Sequence, residues 1–383
     1  MDPKYEPPQT LTRSKCSACY KQYKKKDHLI KHMIISYHSV HDPACTVCKK
    51  HCKTLESVRE HLSGPLAKAD CVKVFVERGC ILCLCIFDSL DVLKVHEQNC
   101  RLSPVSPVGF GGMTLLEKST RSEMEIRSLS GESCCNQGLQ VVAMDCEMVG
   151  VGSVGSSDAC ARVCLIDEDE NVLFHSYVKP ELPVKDYRYE ITGITEDHFQ
   201  DALSLKKVRV KIKEILYNAE SCKARILVGH SLDHDLYCLR MTHPEHLKRD
   251  TAIYPPLMKT NLVSHSLKDL TRTYLGYEIQ TGTHDPFEDC VAVMRLYKRM
   301  RGQVHRNEAF SPSSGIPHSI NSFDAYDPND LMKMSPDALL QISRPKYMCW
   351  CLDLRRASDT DLDSSSSVVS LDKILDGFSL SGE

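Results

Sequence analysis

From Leu139 to about Arg301, short apolar runs alternate with amphipathic stretches. VVAMDCEM, ARVCLID and VLFHSYV have the length and residue content of strands. Val208, Ile212, Ile215 and Leu216 recur at helical spacing, and the apolar RILVGH after them reads as a buried strand. From Glu288 the pattern is helical again, with Val293, Leu296 and Met300 on one stripe. Three strands, a helix, a strand and further helices predict an α/β domain over 139–301. Before it, residues 101–138 are rich in Ser, Gly and Pro and predict a flexible linker. After it, periodicity fades, and from Ser358 the chain is rich in Ser and Asp. Residues 302–383 are therefore expected to be mostly disordered. Within them, PKYMCWCLDL holds the only tryptophan, Trp350, and is a candidate to dock back onto the body.

The first hundred residues follow a different rhythm, set by cysteine and histidine. Cys16 and Cys19 precede His32, Cys45 and Cys48 precede His61, and Cys80 and Cys83 precede His96, always with the same spacing. Tetrahedral zinc takes four thiolate or imidazole ligands, and a Cys-x-x-Cys turn followed by a helix supplies them. Tyr23 with Leu29, Cys52 with Val58, and Phe87 with Leu93 sit at matching offsets, where each module needs a small core. Residues 14–100 thus resemble three C2H2-like zinc fingers of ββα type. The fourth ligands are irregular: His38 for the first finger, Cys100 for the third, and Cys71 as the nearest candidate for the second. On the base-reading helix positions, finger 1 offers Lys25, His28 and Lys31. Finger 3 offers Ser89, Val92 and Val95, which suit a protein contact better than base edges.

Composition narrows the class. The 383 residues are 42% hydrophobic and 26% charged, which excludes collagen, coiled coil and wholesale disorder. The longest apolar run, Gly79 to Phe87, is half of the roughly 18 residues a membrane span needs, so no membrane partner is expected. The opening MDPKYEPPQT lacks the apolar core of a secretory signal. Twenty cysteines without secretion point to metal binding rather than disulfides. The net charge of −3 hides an asymmetry. Residues 1–100 carry 16 Lys and Arg against 11 Asp and Glu, and the remainder carries 32 against 40. A basic front on an acidic body suggests that the front meets a polyanion.

The body's own chemistry lies in acids spread along the chain. Asp145 and Glu147, two apart on a strand, share one face. Two neighbouring carboxylates among apolar residues are costly unless a cation sits between them. Asp235 follows the strand that ends at Gly229, Asp289 stands in the first turn of the last helix, and His284 lies on the loop before it. In this order, Asp145, Glu147, Asp235, His284 and Asp289 resemble the DEDDh 3′–5′ exonuclease family, on a ribonuclease H-like fold. DCEMVG, YRYEITGIT, GHSLDHDL and HDPFEDC look like its RNA exonuclease 4 branch. The resemblance implies that the four acids hold two Mg²⁺ or Mn²⁺ ions and that His284 is the general base. It also implies nucleotide contacts by Met148 and Arg188. Asp233 and Asp285 are neighbours that could compete for metal, and Asp250-Thr251, beside an expected short strand, reads as a cap, with substrate positioning as the alternative.

The expected activity is metal-dependent 3′–5′ hydrolysis of RNA, with DNA as a further substrate, to 5′-mononucleotides. The expected partners are RNA or single-stranded DNA, and the expected location is the nucleus, otherwise the cytoplasm. An alternative keeps the fold without the chemistry: a zinc-finger nucleic-acid-binding or adaptor protein with an inactive nuclease domain. The complete set of acids and histidine favours the enzyme.

Overall fold

The computed structural model describes residues 14–36, 42–65, 67–105, 140–218, 223–303, 323, 326–343 and 348–354. In the first finger, β1 (Ser14–Lys15) and β2 (Gln22–Tyr23) pair antiparallel and lead into α1 (Lys26–Ser36). In the second, Ala44 bridges to His51 before α2 (Leu55–Ser63), which Thr54 caps by accepting from the Ser57 N–H at 3.0 Å. A further helix, α3 (Ala69–Arg78), follows directly. In the third, Gly79 bridges to Ile86 before α4 (Leu90–Cys100), capped by Ser89. Leu29, Val58 and Leu93 are buried at the positions expected of the small cores.

The body opens with the antiparallel meander β3 (Val141–Val151), β4 (Ser157–Ile166) and β5 (Val172–Lys179). β6 (Val184–Asp186) pairs with the far end of β3, and the single turn α5 (Tyr189–Thr192) follows it. β7 (Leu203–Ser204) lies parallel to β5 and leads into α6 (Leu205–Leu216). A short ladder of β8 (Tyr217–Asn218) and β9 (Lys223–Ala224) precedes β10 (Ile226–Gly229), which runs parallel to β3. Then come α7 (Leu232–Cys238) and β11 (Lys248–Asp250), the latter parallel to β10. The domain closes with α8 (Leu267–Leu270), a wider turn over Thr271–Leu275, and α9 (Pro286–Arg301). The strand order β11-β10-β3-β4-β5-β7 is a mixed sheet flanked by helices, the ribonuclease H-like class that the resemblance implies.

Alternation along β3 decides what each face meets. Val141 and Ala143 pack with Val291, Met294 and other residues of α9, whereas Val142, Met144, Cys146 and Met148 pack with α6 and α7. The odd-numbered positions Asp145 and Glu147 therefore continue the face that α9 covers. The helix α6 is amphipathic as predicted, burying Leu205, Val208, Ile212 and Leu216.

Two expectations are corrected where the described residues begin and end. Residues 101–105 are docked rather than a flexible linker: the Leu102 N–H donates to the Leu275 carbonyl at 3.0 Å, and Arg101 Nε donates to the Gly276 carbonyl at 2.8 Å. Nor is the tail from 302 without structure. Two short helices, α10 (Pro328–Lys333) and α11 (Pro336–Ile342), bury Leu331 and Leu339 against Leu29, Ile30 and Met33 of finger 1. The segment around Trp350 does dock onto the body, with Trp350 stacked on Tyr254 at 3.8 Å between ring centroids. Three residues on, Asp353 takes both arms of the buried Arg249 guanidinium at 2.8 and 2.7 Å, and Tyr297 donates to it as well. Short Pro-initiated helices and a single aromatic anchor leave little periodic trace, which is why sequence pattern misses them. Residues 106–139, 304–322, 324–325, 344–347 and 355–383, which hold the remainder of the expected linker and tail, lie outside the described residues.

The fingers are not independent of the body. Leu55, Val58, Leu62 and Phe75 of finger 2 share one continuous core with Leu257, Leu270, Tyr274 and α9. Finger 1 touches finger 2 through the Tyr20 hydroxyl, which donates to the Cys48 carbonyl at 3.0 Å.

Candidate active site

Three elements bring the predicted acids together. β3 supplies Asp145 and Glu147 from its α9-facing side. Asp289 stands in the first turn of α9, a helix that begins at Pro286 and is capped by Asp285. Asp235 is buried on α7, just beyond the end of β10. The turn there is tight: a Cβ on Gly229 would lie 2.4 Å from Leu232 Cδ2, so only glycine lets α7 fold back against the strand end. Ser231, in the left-handed region at φ 63°, is held by Asp250, which accepts from the Ser231, Leu232 and Ala252 N–H groups at 2.8, 2.9 and 2.8 Å. Asp250 thus has the capping role read from the sequence and seats the helix that carries Asp235.

The four carboxylates feel one another. Burial raises the pKa of Asp145 well above the carboxylate range, and the charges of Asp289, Asp235 and Glu147 add to the rise. Asp235 is raised in the same way, by burial first and then by Asp250, Glu147 and Asp289. Glu147 is pushed up to about 8 by burial and Asp289, against the opposing pull of Arg162. Asp289 is pushed up to about 7 by burial, although a hydrogen bond from Gln280 opposes the shift. So many acids with raised pKa values in one place form a cluster short of positive charge. Asp235 Oδ2 and Asp289 Oδ1 are buried with no hydrogen-bond partner among the described residues. Buried anionic oxygens without partners are costly, and a hard divalent cation would satisfy them. The donor set therefore fits Mg²⁺ or Mn²⁺.

His284 completes the group. One ligand atom each from Glu147, His284 and Asp289 lies within 4.8 Å of the others. Its backbone N–H donates to the Ile191 carbonyl at 2.6 Å, which ties the histidine loop to α5. Gly193, at φ 64°, lets α5 end against Thr283 of that loop. Burial and the nearby Lys268 lower the His284 pKa, so the ring is neutral at neutral pH.

The neighbouring acids are occupied elsewhere. Asp285 caps α9 and pairs with Arg162 at 3.3 Å, and Asp233 pairs with Lys248 at 2.6 Å. Each is thus paired with a cationic side chain of the protein. Of the two expected nucleotide contacts, the Met148 side chain is buried with Met144, Cys146 and Leu236 on the opposite face of β3 from Glu147. Arg188, partly exposed at the start of α5, pairs with Asp158, whose other oxygen meets His234 Nε2 at 2.8 Å. That bridge joins α5 to α7 beside Asp235.

Gln280 is a contributor that sequence reading missed. Its side chain donates to Asp289 Oδ2 at 2.8 Å and so turns the other oxygen of Asp289 into the cluster. Its N–H donates to Glu288 and its carbonyl accepts from Lys268. Nothing in a lone glutamine before a loop signals this; the signal is spatial.

The finger ligands also converge. Cys45, Cys48, His61 and Cys71 form one group with ligand atoms within 4.8 Å, and Cys80, Cys83, His96 and Cys100 form another. Cys71, on α3, is thus in place as the fourth member of finger 2. Cys16, Cys19 and His32 form the third group, while His38 lies outside the described residues. The sulfur-to-nitrogen distances of 3.2–3.3 Å suit a tetrahedral zinc, whose ligand–ligand edges are about 3.5 Å. None of the described cysteines is in a disulfide.

Comparison with known proteins agrees with this geometry. Residues 142–297 match the family model described as Exonuclease. Human apoptosis-enhancing nuclease is 31% identical over 251 residues, covering 59% of this chain and 75% of that protein. The chain belongs to the exonuclease family. RNA exonuclease 4 of Saccharomyces cerevisiae is 39% identical over 171 residues, covering 43% of this chain and 57% of that protein. RNA exonuclease 4 of Candida glabrata is 41% identical over 159 residues, covering 41% and 58%. This exonuclease chain therefore spans little more than half the length of those two relatives. Among solved structures, the Neurospora crassa Pan2 catalytic unit is 25% identical, with 42% of this chain and 26% of that chain covered at a TM-score of 0.37.

Proposed function

We propose that this protein is a divalent-metal-dependent 3′–5′ exonuclease that shortens RNA, and DNA as a further substrate, to 5′-mononucleotides. The observation that carries the reading is the cluster of four mutually repelling carboxylates, two of which, Glu147 and Asp289, gather with His284, and two of which, Asp235 and Asp289, have buried oxygens lacking a partner among the described residues. The names of the relatives, RNA exonuclease 4 among them, support RNA as substrate.

Asp145, Glu147, Asp235 and Asp289 would hold two ions. When bound, Mg²⁺ or Mn²⁺ neutralises the phosphate and lowers the cost of forming hydroxide. Cysteine would be the wrong ligand here, because hard cations prefer oxygen. His284, neutral at neutral pH, takes the proton of the attacking water on a ring nitrogen. Attack at phosphorus expels the 3′ oxygen of the preceding nucleotide, and the terminal residue leaves as a 5′-monophosphate. Gln280 keeps Asp289 oriented, and Arg162 holds the His284 loop through Asp285. In the same reading, each finger holds one structural zinc, with His38 completing the first.

A 5′-labelled single-stranded RNA with Mn²⁺ or Mg²⁺ should give a ladder of shortened products. Asp145→Asn should abolish the ladder and leave zinc content unchanged. Wild-type rates in that variant, or binding without turnover in both metals, would overturn the proposal.

A further inference from the structure

A crevice of about 400 Å³ lies where the fingers meet the nuclease body. Finger 2 contributes Arg59 from α2, finger 3 contributes Ile81 and Leu82 from its knuckle, and the body contributes His265, Arg272 and Tyr274. Arg59 is the unusual member. Its side chain is only 15% exposed, and Nη1 donates to the Ile81 carbonyl, which links the two fingers. Nε and Nη2 are buried with no well-aligned hydrogen bond among the described residues, although the Tyr274 side chain lies within reach of the guanidinium. Glu56 lies 3.5 Å from Nε, close enough for charge attraction yet not placed as an acceptor. Leaving two guanidinium donors buried without a well-aligned acceptor is costly, and an anionic oxygen acceptor would remove that cost.

The other walls match a nucleotide. Arg272 stands at the rim with 63% of its side chain exposed, paired among the described residues only with Asp269. The half-buried His265 ring supplies a flat face, while the Tyr274 ring is buried beneath the Arg59 guanidinium, 5.5 Å away, and helps to seat it. Ile81 and Leu82 add apolar surface. The crevice also adjoins the catalytic cluster along the chain. Leu270, at one end of α8, lines it, and Lys268, two residues earlier, donates to the carbonyl of Gln280 at 3.1 Å, the residue whose side chain holds Asp289.

We infer that this crevice binds a phosphate and base of a single-stranded nucleic acid, upstream of the residue being hydrolysed. Fingers 2 and 3 then serve as one wall of the substrate channel rather than as a remote tether. The inference rests on the exonuclease reading for its substrate class.

The test uses the full chain carrying Asp145→Asn, so that binding is read without turnover. Fluorescein-labelled single-stranded RNAs of about 4 and about 12 nucleotides serve as probes. The longer strand should bind more tightly. Arg272→Gln should cut its affinity about tenfold, lower the salt slope by about one, and leave the short strand unaffected. Arg59→Gln should act in the same direction. Because Arg59 bridges two fingers, the rim variant keeps the inference falsifiable if Arg59→Gln misfolds. Unchanged affinity and salt slope in folded Arg272→Gln would overturn it. So would displacement of the long strand by inorganic phosphate at equal concentration, which would mark a free-anion site. Failure of the parent chain to hydrolyse any strand, with these binding results intact, would sink the exonuclease reading and not this site.

Discussion

At the residue scale, the protonation of the carboxylates is the sharpest handle. Glu147 and Asp289 are pushed up to about 8 and about 7 by burial and mutual repulsion. The metal-free folded protein therefore holds protons that the unfolded chain releases near ~4. Between about pH 4 and 8 its stability should fall as pH rises, because the native state must give up protons it favours keeping. A bound divalent ion cancels that penalty. Melting of the metal-free chain should drop from pH 5 to 8, and Mn²⁺ should raise it most at the alkaline end. A flat profile in both conditions would contradict this. Gln280 makes a second residue-scale prediction. Gln280→Ala removes the hydrogen bond that aims Asp289 and should weaken Mn²⁺ binding about 10–100-fold, as loss of an outer-shell partner does. Titration by calorimetry would read it, with the fold checked by unchanged tryptophan emission.

At the element scale, two connections hold the site from behind. Arg249 and Asp353 form a buried pair beside Asp250, the residue that caps α7. Arg249→Met leaves the Asp353 carboxylate buried without its partner and should cost about 3–5 kcal/mol in denaturant unfolding. Trp350→Ala empties the space against Tyr254 and should cost about 3–5 kcal/mol. A change below ~1 kcal/mol in either would show that the segment 348–354 is only loosely seated. Finger 2 supplies the other element-scale test. Its ligands come from a knuckle, α2 and α3, so Cys71→Ser should lower zinc content by one ion per chain, measured by elemental analysis.

At the scale of the whole molecule, fingers and body share core. Removing residues 1–100 would uncover Tyr274, Leu270 and Leu257, which Leu55, Leu62 and Phe75 cover. The truncated body should aggregate or melt well below the full chain, rather than persist as a smaller independent enzyme. A zinc-selective chelator should likewise lower the melting of the body, followed through Trp350, the sole tryptophan. A body that melts unchanged without zinc would show the two parts to be separable. This corrects the picture of fingers on a flexible tether, which spacing alone suggests.

How far the sequence reaches follows from the range of the forces involved. The strands around Asp145, the helix from Val208 to Leu216 and the finger repeats were legible, because each is written in local periodicity or ligand spacing. The acids were legible as a set only through their order and spacing, which resemble the exonuclease family; singly, each has an ordinary structural reading. Gln280, the engagement of Asp285 and Asp233 by cations, and the burial of Met148 were not. Each depends on contacts between segments far apart in the chain. Asp285 and Asp289 are four residues apart, yet one pairs with Arg162 of β4 while the other keeps an oxygen without a partner among the described residues.

By itself, then, the amino-acid order marked the candidate modules and ligands through local pattern and donor type, and the class of chemistry through its resemblance to the exonuclease family. Only the tertiary structure decided which acids keep oxygens available for a cation, which helix covers which face of β3, and that the fingers and the last described segment close onto the body. Those outcomes rest on burial and on charges meeting across distant parts of the chain.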